Sequence, residues 1–221
     1  TMLKQRVITA LVLLAIVLPA LFYSQPWPFT IVVLVLMAAG AWEWGRLNGF
    51  GFGAAVLLGG ICLGLCGLSW WLGLVDKPLP WLWALGGGLW VLGGAALLRV
   101  GVAGWPGIPK AVRVVGGLLA LWLAWLAVAQ ARALGINFLL SVLVLVWVAD
   151  VFAYFAGRAF GLKFTQSKLA PSISPGKSWE GVWGGMAGVV VLAFAWVWAD
   201  GAAQASVPSF YSRLAAHGWW L

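Results

Sequence analysis

The chain has 221 residues, of which 64% are hydrophobic and only 8% are charged. Soluble globular domains have about a quarter of their residues charged, so this composition excludes an ordinary soluble domain and indicates an integral membrane protein. The formal net charge is +8, which we attribute to membrane topology and anionic lipid headgroups rather than to a nucleic acid partner.

Apolar runs that approach or reach the length needed to cross about 30 Å of hydrocarbon follow one another along most of the chain. They are residues 7–23, 29–44, 53–74, 81–98, 114–133, 138–155 and 181–199. The segment 207–221 begins as a polar loop and ends like the start of a further element. The sequence therefore predicts an all-α, polytopic helical bundle with about seven transmembrane helices, forming a single transmembrane domain over 1–221.

The basic residues divide unequally between the loops on the two sides of the membrane. With the N-terminus inside, the inner segments carry Lys4, Arg6, Arg46, Arg99, Lys110, Arg113, Arg158, Lys163, Lys168 and Lys177, and the outer ones carry Lys77, Arg132 and Arg213. Because cytoplasmic loops are enriched in lysine and arginine, this bias predicts that the N-terminus and the 156–180 loop are cytoplasmic.

Asp150 lies well inside the sixth apolar run, where an acidic side chain costs about 2.5–3.5 kcal/mol on insertion scales. Tyr154 and Arg158 follow four and eight residues later, so all three share one helical face. Acidic residues at such depth usually mark a polar cavity or a site. A buried pair that locks two helices is the alternative.

For Glu43, three residues before Arg46, a helix-end ion pair is sufficient explanation.

The 156–180 loop is the longest inner loop, and it contains the stretch SISPGKSWEG at 172–181. Serines are interleaved with lysines along this loop, and both residue types bind phosphate. We expect Pro175-Gly176 to break the backbone and Ser178 to cap a new helix, whose N-terminus would favour an anion. The sequence predicts a phosphate site here, although an ordinary basic loop is the alternative.

The segment 147–185 resembles the bacterial phosphatidate cytidylyltransferases. That family has a helix with the pattern A-D-x-x-A-Y-x-x-G-R, matched from Ala149 to Arg158, followed by a loop K-L-x-P-x-I-S-P-x-K-[ST]-W-E-G, matched from Lys168 to Gly181. About forty residues match in order, and the hydrophobic body before them fits as well.

The resemblance implies transfer of a cytidylyl group from CTP to phosphatidic acid, with a divalent metal such as Mg²⁺, at the inner membrane of a bacterium. Lys177 and Ser178 are the expected phosphate contacts, with Ser174 nearby and Lys168 or Arg158 in electrostatic support. Asp150 is expected to order the polar pocket or assist a cation, which makes Asp150 and Lys177 the candidate catalytic residues. Membrane lipids are further partners, and a homodimer is compatible with the resemblance.

The resemblance ends at Gly185. The family continues with a lysine-aspartate pair, a PGHGG-like turn and two aspartates that hold the metals, and nothing here matches them. We therefore expect a truncated copy without its own metal ligands, whose activity is open. Two alternatives stand beside the enzyme: a membrane transporter that uses Asp150 for coupling, and a non-catalytic lipid-binding membrane protein.

Overall fold

The computed structural model describes residues 2–218 and consists almost entirely of helices. The elements are α1 (Met2–Phe22), α2 (Trp27–Leu47), α3 (Phe52–Trp71), α4 (Pro80–Gly104), α5 (Lys110–Leu134), α6 (Ile136–Phe160), β1 (Lys168–Ala170), β2 (Ser174–Ser178), α7 (Trp179–Ala202) and α8 (Phe210–Ala216). Seven helices in this part of the chain are long and apolar enough to cross a membrane. The predicted polytopic helical architecture is confirmed.

The helices extend beyond the apolar runs that predicted them. The run 138–155 becomes α6, Ile136–Phe160, and the run 29–44 becomes α2, Trp27–Leu47. Hydropathy marks only the part of a helix that suits hydrocarbon, whereas backbone hydrogen bonding continues into the headgroup region. Arg158 therefore lies in the last turn of α6, which corrects the prediction that the loop begins near residue 156.

The chain divides into two compact units. One combines the chain up to Gly88 with Gly107–Ile136, and the other combines Leu89–Pro106 with the chain from Asn137 onward. The single domain predicted for 1–221 stays a prediction.

Indole donors connect the helices of the first unit. Nε1 of Trp125, which is fully buried, donates to the carbonyl oxygen of Thr30 at 3.2 Å. Nε1 of Trp122 donates to Oγ of Ser69 at 2.8 Å. Because a buried indole must place its N–H on an acceptor, these bonds tie α5 to α2 and α3. Some of the tryptophans thus hold helices together.

The side chain of Arg132 is buried and hydrogen-bonded, unlike an exposed charged side chain in a loop. It lies in the last turn of α5, is only 5% exposed, and donates from Nε to the carbonyl oxygen of Leu21 at 3.0 Å and from Nη2 to that of Tyr23 at 2.6 Å. The last carbonyls of a helix lack partners within the helix, and this guanidinium satisfies them at the end of α1.

In the second unit α6 and α7 approach each other closely through glycines. A Cβ added to Gly181 would lie 3.0 Å from the carbonyl oxygen of Ala153, and one added to Gly185 would lie 3.0 Å from that of Ala149. Small residues allow two backbones to approach where no hydrophobic force drives helices together in lipid. This contact brings the start of α7 against the last turns of α6.

A polar network holds α8 at the other end of α6 and α7. Oδ1 of Asp200 accepts from Nδ2 of Asn137 at 2.8 Å, and Oδ2 accepts from the backbone amide of Ser209 at 2.9 Å. Oδ1 of Asn137 accepts from Nε1 of Trp196 at 3.0 Å. The element expected after residue 207 is the short helix α8. The expected ending in Trp219, Trp220 and Leu221 lies outside the described residues.

Candidate functional site

A β-hairpin occupies the connection between α6 and α7. Strands β1 and β2 pair antiparallel with Lys168 opposite Ser178 and Ala170 opposite Ser174. The register is irregular between the two pairs, and Pro175-Gly176 falls in that interval of β2. Proline cannot donate to a strand ladder and therefore occurs at edges and bulges. The Pro-Gly pair accordingly interrupts the ladder within β2, which corrects the expectation that it breaks the backbone.

Ser178 joins the hairpin to α7. Its Oγ accepts from the backbone amide of Gly181 at 3.3 Å, so the predicted N-cap of α7 is confirmed. The side chain is buried, and a Cβ added to Gly157 or Gly161 would lie 3.5 or 3.4 Å from this oxygen. The end of α6 therefore packs against the base of the hairpin. A phosphate contact by Ser178 stays a prediction.

Glu180 is a second anchor, which sequence reasoning did not select as a site residue. Its Oε1 accepts from the backbone amides of Phe164 at 3.1 Å and Thr165 at 2.7 Å, and from Oγ1 of Thr165 at 2.8 Å. The side chain is only 3% exposed. Its Oε2 is buried and has no hydrogen-bond partner in the described part of the chain. Glu180 thus fastens the beginning of the loop to the beginning of α7.

One signal in the sequence could have identified Glu180. The whole chain has only five acidic residues, and this one falls in the first turn of a helix, two residues after its cap. A carboxylate is favoured there by the helix dipole. Its partners lie on a segment that only the folded loop brings near.

Three predicted cations lie around the base of the hairpin. Lys168 is opposite Ser178, Lys177 precedes Ser178 on β2, and Arg158 follows Gly157, which approaches Ser178. All three cationic residues are exposed. Because successive side chains of a strand point to opposite faces, Lys177 points away from the face on which Ser178 is buried. No acidic residue occurs in 161–178, so the charged residues of this segment are all basic.

Ser174 and Asp150 lie apart from this group. Ser174 pairs with Ala170 near the turn of the hairpin, at the far end of β2 from Ser178. Asp150 precedes Arg158 by two turns of α6, about 12 Å along the axis. It is exposed, and the described residues offer it no hydrogen bond or ion pair. The buried, helix-locking pair considered as an alternative is therefore not formed by these residues.

Tyr154 and Arg158 do share a face of α6, as predicted. Nη1 of Arg158 donates to Oη of Tyr154 at 3.0 Å, and both side chains are exposed. The predicted helix-end pair is confirmed too, since Nη1 of Arg46 lies 3.1 Å from Oε1 of Glu43.

The residues described do not assemble a site for a divalent metal. Across 2–218 there is no group of three or more histidine, cysteine, aspartate or glutamate side chains that could hold an ion. Both oxygens of Asp200 already accept hydrogen bonds, from Asn137 and Ser209. One oxygen of Glu180 accepts a hydrogen bond from the loop. Magnesium prefers several oxygen ligands in octahedral geometry, so the donor set present does not fit it.

Seven helices within residues 2–218 that are long and apolar enough to cross a membrane, with a basic hairpin between α6 and α7, define a polytopic membrane protein. A sequence model of the cytidylyltransferase family matches residues 4–218. The phosphatidate cytidylyltransferase of Pseudomonas aeruginosa is 39% identical over 208 residues, which is 84% of this chain and 67% of that protein. That of Haemophilus influenzae is 35% identical over 234 residues, 89% of this chain and 73% of that protein.

A shorter match to the phosphatidate cytidylyltransferase of Thermotoga maritima is 51% identical over 55 residues. No solved structure matches the chain significantly. The chain belongs to the cytidylyltransferase family.

Proposed function

We propose that this protein transfers a cytidylyl group from CTP to phosphatidic acid, giving CDP-diacylglycerol and pyrophosphate for phospholipid synthesis. Family membership over residues 4–218 supports the reaction, and relatives that match over most of this chain carry the name phosphatidate cytidylyltransferase. The single structural observation that carries the proposal is the hairpin, which places exposed Lys168 and Lys177 next to the buried cap Ser178 on the strands that lead into α7, close to the end of α6 that carries Arg158.

The chemistry requires positive charge more than it requires a nucleophile from the protein. A phosphate oxygen of phosphatidic acid attacks the α-phosphorus of CTP, the new P–O bond forms, and the bond to the β-phosphate oxygen breaks to release pyrophosphate. Fixed cations lower the barrier by stabilising charge on the transferring and leaving groups. Lys177 and Lys168 would bind phosphate oxygens, and Arg158 would add positive electrostatic potential from the end of α6.

Ser174, Ser178 and Asp150 have supporting roles in this proposal. Ser178 holds the N-terminus of α7 near the lysines, where backbone amides favour an anion, and Ser174 adds a hydroxyl donor. Asp150 would order the polar face of α6. A requirement for Mg²⁺ stays a prediction from the resemblance, and no step is assigned to it.

We also propose that the protein lies in the cytoplasmic membrane of a bacterium, with the N-terminus and the hairpin facing the cytoplasm. The excess of basic residues in the segments assigned to that side supports this orientation, and cytosolic CTP would then reach the hairpin. A homodimer is proposed on the resemblance alone.

The direct test is release of pyrophosphate by the purified chain in mixed micelles that contain phosphatidic acid, CTP and magnesium. Release should require both substrates, and Lys177→Ala should lower kcat/KM on the order of 10–100-fold, because it removes a charge that acts on the transition state. Lys4→Ala, an exposed lysine at the start of α1, is the matched control and should leave the rate unchanged.

Equal rates for the wild type and Lys177→Ala would show that the hairpin is not the site. A folded wild-type chain that releases no pyrophosphate but moves a solute across vesicles would instead indicate a transporter.

A further inference from the structure

The turn that follows α6 presents large apolar side chains outward. We define the aromatic turn as residues 160–164, which read FGLKF. Phe164 is 72% exposed, and Phe160 and Leu162 are about half exposed. The rings of Phe160 and Phe164 lie 6.1 Å apart between centroids, and Nζ of Lys163 lies 5.6 Å from the Phe160 centroid. The turn is therefore a compact apolar cluster with a cation beside it.

The backbone of the aromatic turn is held in place at several points. The amide of Gly161 donates to the carbonyl oxygen of Gly157 at 2.9 Å, and that of Lys163 donates to the carbonyl oxygen of Phe160 at 2.9 Å. The amide of Phe164 donates to buried Glu180. Leu162 has a φ of 61°, a conformation that is uncommon for a branched residue and persists only where its surroundings enforce it. The outward direction of these side chains is thus built into the fold.

We propose that the aromatic turn is embedded at the boundary between the headgroups and acyl chains of the surrounding membrane, and that it anchors the basic hairpin to the lipid surface. The turn begins at the last residue of one membrane-spanning helix, and the hairpin ends where the next begins, at Trp179. Its side chains therefore emerge at the level of the interface, where aromatic rings are favoured.

The charge of the segment fits an anionic lipid surface in particular. Lys163 extends from the turn, two further lysines follow in the hairpin, and 161–178 contains no acidic residue. Basic side chains beside an inserted apolar cluster are attracted to anionic headgroups. The anchor would hold Lys168 and Lys177 at the depth of lipid phosphates. That role of the lysines rests on the proposed function, whereas insertion of the aromatic turn into the membrane does not.

The depth of the turn can be measured in the full chain reconstituted in bilayer nanodiscs with phosphatidylglycerol. A bimane probe is attached at Phe164→Cys or, as the matched control, at exposed Gln166→Cys, in a background that carries Cys62→Ala and Cys66→Ala. We expect the probe at 164 to be quenched several-fold more by brominated lipid than by aqueous iodide, and the probe at 166 to show the reverse.

A probe at 164 that is as accessible to iodide as the probe at 166 would overturn the proposal. So would a probe that is shielded from both quenchers, because the turn would then be covered by protein. Adding Leu162→Ser to the Phe164→Cys protein should move the probe toward water, and an unchanged depth would equally contradict the anchor.

A second measurement separates this inference from the proposed function. Phe164→Ser should raise the KM for long-chain phosphatidic acid in a bilayer several-fold and leave the KM for CTP unchanged. The wild type and the variant should have the same KM for water-soluble dihexanoyl phosphatidic acid. An equal change with the two lipids would overturn the anchor while the activity itself stands. The difference in depth between the probes at positions 164 and 166 is measured by fluorescence quenching and does not require the protein to be active.

Discussion

At the scale of single residues, the site depends on two side chains that bind the protein rather than a ligand. Ser178 caps α7, and Glu180 accepts three hydrogen bonds from Phe164 and Thr165. Exposed lysines have many rotamers and no fixed position of their own. The location of Lys168 and Lys177 is therefore set by the backbone that these two buried residues hold.

Glu180→Ala should loosen the loop because the amides of residues 164 and 165 lose their acceptor. We expect trypsin to cleave after Lys163, Lys168 or Lys177 on the order of tenfold faster, as loss of a charged hydrogen-bond acceptor implies, measured by mass spectrometry of the protein in nanodiscs. Glu43→Ala removes an exposed carboxylate that pairs with Arg46, away from the loop, and should leave the cleavage rate unchanged. Equal rates in the two variants would contradict the anchoring role.

Capping is tested separately from anchoring. Ser178→Ala should lower the free energy of unfolding by about 1 kcal/mol, the usual effect of losing a serine cap, measured by equilibrium unfolding in mixed micelles. Ser174→Ala, on the same strand but near the hairpin turn, should change it by less than about 0.5 kcal/mol, as is usual at positions without a cap. A smaller effect at 178 than at 174 would be inconsistent with the cap.

At the scale of elements, the hairpin takes its position from the contact between α6 and α7. Glycines on α7 lie against backbone carbonyls of α6, and the hairpin is attached to the ends of both helices. On α4, Gly101 has a φ of 64°, and a Cβ there would lie 3.1 Å from Oγ of Ser172. The left-handed backbone at this point is one that glycine adopts without strain, and it lets the kinked helix meet the turn of the hairpin.

Gly185→Ala should force α6 and α7 apart, since the new methyl group would lie 3.0 Å from the carbonyl oxygen of Ala149. We expect a loss of about 1–3 kcal/mol in the free energy of unfolding, typical of overpacking. Gly201→Ala is the matched control on the same helix, because a Cβ there would meet nothing within 4 Å. It should be neutral or slightly stabilising through helix propensity, and a reversed order would refute the close contact.

At the scale of the whole molecule, the arrangement of charge relative to the membrane decides whether the proposed site can meet CTP. The hairpin lies between α6 and α7, and α8 follows at the opposite end of α7. Seven helices in residues 2–218 are long and apolar enough to cross the membrane, so the orientation of one loop would determine that of the others. The cytoplasmic side of the hairpin is part of the proposal, and the positive-inside rule supports it.

Cysteine labelling tests that orientation. In cells, Ser172→Cys in the hairpin should react with a membrane-impermeant maleimide only after the inner membrane is opened, and Gln204→Cys, exposed after α7, should react in intact spheroplasts. Cys62 and Cys66 are fully buried and should contribute little background. The opposite labelling pattern would invert the topology and separate the hairpin from cytosolic nucleotide.

The sequence by itself determined the membrane character, the seven spans, the cap at Ser178 and the family. These depend on composition, on the length of apolar runs and on a local motif, all of which are properties of contiguous residues. Only the tertiary structure showed that Glu180 holds Thr165, that the Pro-Gly pair lies within a strand, and that the aromatic turn faces outward. These features depend on which distant backbone groups the fold brings within hydrogen-bonding distance, and a linear pattern does not encode that distance.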